Sequence, residues 1–294
     1  MMPDQQLFDE KTRRKLEQLM LAASRVRAGA IKGERRSVKR GTSIEFADYR
    51  NYAPGDDLRR LDWNIYARLG RPLTRLYEDE EDLAVHVLFD NSASMNWGAG
   101  EANKFDFTRR LVAGLGYISL TTNDRLMISA LGGDTFGPAR GRAYSVALLS
   151  YMVKLKAAGR VDINAALKAY ALKSGRPGLT MVISDLFSPD GYIDGINALL
   201  AKGHEVALIH TLAPEEIEPP LAGDLRLVDV ETGAPQEVSI DGGMRDLYMQ
   251  RVQAWRDDIR QECSRRGVHF VAADTGSSWE KVILYDLRRA GVVK

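Results

Sequence analysis

The chain has 294 residues, 45% hydrophobic, 28% charged and 8% aromatic, which excludes disordered, collagen-like and disulfide-scaffold proteins. Lys and Arg number 41 against 40 Asp and Glu, a net charge of +1, which argues against nucleic acid as a partner. Cys263 alone can make neither an internal disulfide nor a thiolate zinc site, no apolar run is long enough for a membrane span, and the polar N-terminus lacks a signal-peptide plan, so the reading is a reduced, cytoplasmic protein.

Leu16, Leu19, Met20, Ala23 and Val26 follow helical spacing, so a helix is expected over 5–28, stopped by Gly29. A basic arm follows, with Arg25, Arg27, Lys32, Arg35, Arg36, Lys39 and Arg40. It reads either as a solvated arm or as a docking surface for an acidic partner. Over 41–77 the turn signals Gly41, Pro54-Gly55, Gly70 and Pro72 punctuate short segments rich in Tyr, Trp and Arg, which predicts short strands and loops.

From residue 83 strands alternate with helices. Strands are expected at 83–89, 126–131, 179–184, 205–210 and 268–272, and helices at 104–121, 145–157, 163–173, 191–202, 244–266 and 278–290. A short strand is expected within 132–142, and a polar insertion at 213–240 reads as a β-hairpin. This alternation predicts a doubly wound, mainly parallel α/β sheet over 81–294, preceded at 1–80 by an N-terminal helix, the basic arm and a small β-rich segment. His86, His210 and His269 fall in or at the ends of strands and read as hydrogen-bonded structural histidines.

In open α/β sheets ligands gather beyond the carboxyl ends of the strands. The first parallel strand ends there in Asp90-Asn91-Ser92-Ala93-Ser94, and the run at 179–184 ends in Asp185. If those strands are neighbours, two carboxylates and two hydroxyls meet at one rim. All are hard oxygen donors, which suit Mg²⁺, Mn²⁺ or Ca²⁺ and not zinc. Two close carboxylates without a cation repel, and one is driven to hold a proton. The alternative is a Ser/Asp turn capping the next helix.

Asp90, Ser92, Ser94 and Asp185 together resemble the metal-ion-dependent adhesion site of von Willebrand factor A domains. The stretch from Glu45 through Tyr49-Arg50-Asn51-Tyr52-Ala53-Pro54-Gly55-Asp56-Asp57 to Asn64 resembles the signature of a bacterial family, domain of unknown function fifty-eight, and Gly33–Ser37 and Tyr66–Leu69 extend it. The similarity runs from about residue 15 to 275. It implies a von Willebrand A/Rossmann-like fold and a chaperone-like or metal-insertion role beside a MoxR-type AAA+ ATPase, with no established catalytic activity. The resemblance has one gap. Val161 stands where the adhesion site carries a Thr ligand. Adjacent Asp162 is then a substitute ligand, or the site binds metal poorly or not at all.

Arg50, Tyr52, Asp56, Asp57, Arg59, Arg60, Asp62, Trp63 and Arg68 pack charge and rings into a short segment. Asp56, Asp57 and Asp62 read as structural turn and capping groups, and Arg59, Arg60, Arg35 and Arg36 as partner contacts. Trp97 reads as a core anchor or a rim contact.

Three functions compete. The first is a non-enzymatic adaptor or co-chaperone of a MoxR-type ATPase, binding an acidic residue of a partner or client through Mg²⁺ or Mn²⁺ held by Asp90, Ser92, Ser94, Asp185 and Asp162. With no Gly-x-x-x-x-Gly-Lys-Ser/Thr loop, the chain is not expected to hydrolyse ATP. The second is a Mg²⁺-dependent phosphohydrolase with Asp90 as nucleophile; against it, the second acid expected two residues on is Ser92, and no phosphate-clamping Lys is evident. The third is a scaffold with a vestigial site.

Overall fold

A computed structural model describes residues 7–23, 44–53, 56, 58–79, 82–220, 223–228, 233–240 and 242–294. They fall into two units, Gly33–Asp82 and a larger one made of Met1–Lys32 with Leu83–Lys294. The N-terminal helix α1 (Glu10–Leu16) is shorter than its periodicity predicts. It falls in the larger unit. Leu7, Phe8, Leu16 and Leu19 enter the main core, and Leu21 bridges antiparallel to Val293 near the C-terminus. The basic arm, including Arg35 and Arg36, lies outside the described residues.

In the smaller unit β1 (Ile44–Asn51) pairs antiparallel with β2 (Leu73–Asp79), with a register irregularity between Phe46 and Asp48. Between them lie a 3₁₀ turn, Leu58–Arg60, and helix α2 (Trp63–Leu69). Asp62 caps α2: its Oδ1 accepts from the N–H groups of Asn64 and Ile65, and its Oδ2 accepts from the Tyr49 hydroxyl at 3.0 Å. Asp56 accepts from Arg50 at 2.6 Å and from the Ala53 N–H at 3.0 Å. Both aspartates therefore do structural work, as the turn chemistry predicts.

The larger unit runs β3 (Ala84–Phe89), α3 (Lys104–Thr121), β4 (Arg125–Ala130), β5 (Thr135–Arg140), α4 (Ser145–Lys154), α5 (Ile163–Lys173), β6 (Leu179–Ser184), α6 (Ile193–Ala201) and β7 (Glu205–Leu212). There follow α7 (Pro214–Ile217), the hairpin β8 (Gly223–Val228) and β9 (Pro235–Ile240), α8 (Gly242–Arg266), β10 (His269–Asp274) and α9 (Trp279–Lys281). The last continues as a wider π-type turn over Val282–Leu287, where a plain helix is expected from the sequence.

Six strands form the sheet in the order β10-β7-β6-β3-β4-β5, parallel except for the antiparallel edge strand β5. Pro138 sits on that edge, where a residue without an N–H interrupts least. This is the doubly wound, mainly parallel α/β architecture, with helices over both faces. Alternation along β3 divides its side chains. Val85, Val87 and Phe89 join a core with Leu115 and Ile118 of α3, whereas Leu88 joins one with Leu167, Leu199 and Ile259 of α5, α6 and α8. Helix α3 is buried almost all round because α1, α4 and α9 cover what the sheet does not. Gly114 permits this, since a Cβ there would stand 2.8 Å from the Trp279 ring.

The chain leaves β3 toward β4 on one side and returns through β6 on the other. The tips of β3 and β6 therefore flank the switch point of the sheet, where such folds open a crevice.

Candidate functional site

Asp90 leaves the end of β3 with its N–H bonded to the Ile183 carbonyl at 2.8 Å, which joins the β3 and β6 tips. Its side chain is 1% exposed. Oδ1 accepts from the Ser92 N–H at 2.8 Å, and Oδ2 accepts from the Ser184 hydroxyl at 2.9 Å. Burial, and then the charge of neighbouring Asp185, push the Asp90 carboxyl above the ordinary carboxylate range. The Ser92 and Ser94 hydroxyl oxygens lie 2.9 Å apart. The loop that carries them is pinned to the turn before α5, through Ala93 N–H to the Gly159 carbonyl and Ala158 N–H to the Asn91 carbonyl.

Asp185 follows β6 and is equally buried. Its Oδ1 accepts from the Phe187 N–H at 3.1 Å. Its Oδ2 meets the Lys104 ammonium at 2.7 Å. Between Asp185 and Phe187, Leu186 holds a left-handed backbone with φ 61°, a strained state for a residue with a Cβ. The Leu186 N–H donates to the Ser184 hydroxyl at 2.9 Å, which helps fix that turn. His210 Nε2 donates to the Asp185 carbonyl at 3.0 Å. Burial, with Arg256 nearby, brings the His210 imidazole down to about 4, so the ring is neutral.

Lys104 is the first residue of α3, and its side chain is 0% exposed. Its ammonium also meets Glu216 Oε1 at 2.6 Å and lies 5.3 Å from the centre of the Phe187 ring. Glu216, on α7, uses its other oxygen to accept from the Ala213 N–H at 2.8 Å. Burial pushes its carboxyl up, partly offset by Lys104. Phe187 stacks on Trp255 of α8, with centroids 5.4 Å apart and planes at 15°.

The β3 and β6 tips thus bring Asp90, Ser92, Ser184 and Asp185 together, with Ser94 at hydrogen-bond distance from Ser92. Asp162 does different work from the ligand role expected of it. It caps α5, its Oδ1 accepting from the Ala165 N–H at 2.9 Å, because a carboxylate before a helix satisfies otherwise unpaired N–H groups. Among the described residues no three His, Cys, Asp or Glu side chains gather as a metal set. Val161 packs against the apolar cluster beneath α5 and offers no oxygen. The donors that fit a hard cation are the Asp90 carboxylate and the Ser92 and Ser94 hydroxyls, with Asp185 beside them.

Trp97 is half exposed, which makes it a rim residue. Arg59 is exposed on the 3₁₀ turn of the smaller unit, and Arg60 closes that turn. Lys104 and Glu216 join the site only in the structure. Lys104 does carry a signal. It stands at the head of the 104, 108, 111, 115, 118 spacing of α3, so it starts a buried stripe. Glu216 carries none, since it lies in a proline-rich insertion.

Comparison with known proteins adds the family. The model described as "Protein of unknown function DUF58" matches residues 48–258. Uncharacterised proteins of Mycobacterium bovis and Mycobacterium tuberculosis are each 30% identical over 277 residues, covering 92% of this chain and 87% of theirs. Among solved structures, the conserved hypothetical protein BatB of Bacteroides thetaiotaomicron aligns with TM-score 0.44 and 16% identity over 71% of this chain and 98% of that one. An aerotolerance-related membrane protein of Bacteroides fragilis aligns with TM-score 0.45 and 16% identity over 70% and 99%. Among the described residues no helix is long and apolar enough to cross a membrane. By the extent of the family match and the identity to its mycobacterial relatives, the chain belongs to the DUF58 family.

Proposed function

We propose that the chain is a non-enzymatic protein-interaction module, an adaptor or co-chaperone of a MoxR-type AAA+ ATPase. Its strand-tip rim takes an acidic side chain of a partner or client through Mg²⁺ or Mn²⁺. The observation that carries this reading is a charge imbalance. Asp185 and Glu216 share the one Lys104 ammonium, and Asp90 lies close enough to Asp185 for the two carboxylates to repel. Such a site favours a further positive charge. Asp90, Ser92 and Ser94 would hold the cation. Bound there, it would supply a Lewis-acidic position that an external carboxylate completes. The ATPase as partner class comes from the family resemblance.

Two features favour docking over phosphoryl chemistry. Ser92 stands where a phosphoryl-transferring aspartate carries its second acid, so Asp90 lacks the proton donor that such chemistry needs. Lys104 is wholly enclosed and paired with two carboxylates, so it cannot clamp a phosphate. The rim residues Trp97 and Phe187 are about half exposed, and such aromatics commonly anchor partners.

The test is recovery of the MoxR-type ATPase on the immobilised chain in Mg²⁺ buffer, with wild type compared against Asp90→Ala and against wild type in chelator. The expected result is a loss of about tenfold or more in both controls. Equal recovery in all three overturns metal-assisted docking.

A further inference from the structure

The docking scheme above uses Lys104 only as a counter-charge, yet it is the most deeply enclosed charge at the strand tips. Its side chain is 0% exposed, and its ammonium lies 2.7 Å from Asp185 Oδ2 and 2.6 Å from Glu216 Oε1. Burying a lysine is strongly unfavourable unless its charge is met by opposite charge and hydrogen bonds, and here two carboxylates meet it. The carboxylates are committed in turn. Asp185 Oδ1 takes the Phe187 N–H, and Glu216 Oε2 takes the Ala213 N–H. With Oδ2 on the ammonium, each Asp185 oxygen has a donor from the chain.

We propose that Lys104 is a resident competing cation that sets the strength of divalent-metal binding at the rim. It occupies Asp185 and Glu216 and adds a like charge beside the place the metal would take, leaving Asp90, Ser92 and Ser94 as the holding set. This inference rests on the metal reading of the rim. It assigns Lys104 a definite physical effect: a fixed positive charge in a poorly solvated site repels a second one far more than it would in water. A divalent ion held by Asp90, Ser92 and Ser94 would therefore bind weakly, exchange with solvent and stay open to an outside carboxylate. Glu216 modulates the effect, because its carboxylate offsets part of the ammonium charge.

Mn²⁺ titration, followed by electron paramagnetic resonance of the free ion and by thermal shift, tests this on the full chain. Lys104→Met keeps the apolar length of the side chain and removes its charge. It is expected to bind Mn²⁺ about tenfold tighter or more, a gain that structural damage would not produce. Glu216→Gln leaves the ammonium less compensated and is expected to bind several-fold more weakly. Lys104→Met/Glu216→Gln removes one charge of each sign, which protects folding if the single variant leaves too many buried carboxylates unpaired, and it too is expected to bind more tightly than wild type.

If wild type binds and both Lys104 variants bind equally or more weakly, the role of Lys104 is overturned while the metal reading stands. If wild type does not bind but a Lys104 variant does, competition is supported in its strongest form, and the metal-bound resting state of the proposed function falls. If no form binds up to millimolar metal, both fall together.

Discussion

The hydroxyl of Ser184 donates to Asp90 Oδ2 across 2.9 Å, tying the last residue of β6 to the first residue beyond β3. The same Ser184 oxygen accepts from the Leu186 N–H, so one side chain holds both the buried carboxylate and the strained turn that presents Asp185. Ser184→Ala removes a donor from a buried carboxyl and leaves the Leu186 N–H unsatisfied. The expected cost is about 1–3 kcal/mol of unfolding free energy, measured by urea denaturation in chelator. A change below a few tenths would mean that the two tips are held by packing alone.

Asp162 separates capping from metal binding. Asp162→Ala is expected to cost about 1 kcal/mol through loss of the α5 cap, and Asp162→Asn only a fraction of that, since Asn also caps well. Neither is expected to alter Mn²⁺ affinity. A loss of Mn²⁺ binding in both variants would restore Asp162 as a ligand and show that its carboxylate leaves the helix when metal arrives.

At the opposite end of the sheet, His204 bonds Thr180 Oγ1 at 2.7 Å and Ser174 Oγ at 3.1 Å, and its ring meets that of His86 edge-on at 4.9 Å. His86 bonds the Tyr170 hydroxyl at 2.7 Å and the Arg176 carbonyl at 3.0 Å. Burial lowers both, His204 to about 4, with His86 adding to the shift. A histidine held neutral in the fold binds fewer protons than in the unfolded chain. Its contribution is thus complete above its unfolded value near 6.5 and is lost as pH falls toward 4. Roughly 2–3 kcal/mol should disappear across that window. The measurement is the denaturation midpoint from pH 7 to 4.5, and His204→Asn should flatten it relative to wild type. Parallel curves for the two proteins would remove His204 as the cause.

In the smaller unit Asp62 joins a helix cap to a tyrosine. Asp62→Ala should lower protection of the α2 amides in hydrogen exchange by about 1–2 kcal/mol, and Tyr49→Phe by about 1 kcal/mol. The two effects should be coupled in a double-mutant cycle, because both variants break the bond to Oδ2. Strict additivity would show that the hydroxyl contact contributes nothing to the cap.

Much of this architecture is legible in the residues themselves. The nearly continuous apolar runs at 84–89 and 179–184, rich in Val, Ile and Leu and too short for helices between turn signals, read as strands buried on both faces, and the 3–4 spacing from Phe105 onward marks α3. Asp90 and Asp185 stand out because each ends such a run. Their proximity still needed the strand order, which periodicity does not supply. Lys104 heads the buried stripe of α3, but a lysine in a first helical turn ordinarily reaches solvent, and only the fold shows the two carboxylates that meet it. Glu216 lies in a four-residue helix, too short to leave a pattern. Apolar spacing continues to Val26, but the helix ends at Leu16 because the chain beyond it pairs with the C-terminal segment.

The proposed docking depends on Asp90, Ser92 and Ser94 holding one hard divalent cation at the β3 tip. Electron paramagnetic resonance of Mn²⁺ added to wild type, Asp90→Ala and the double variant Ser92→Ala/Ser94→Ala tests it directly. One ion bound per wild-type chain, lost in both variants while their thermal unfolding without metal stays cooperative, is the result expected. Free Mn²⁺ in all three samples, or equal binding in all three, would contradict it.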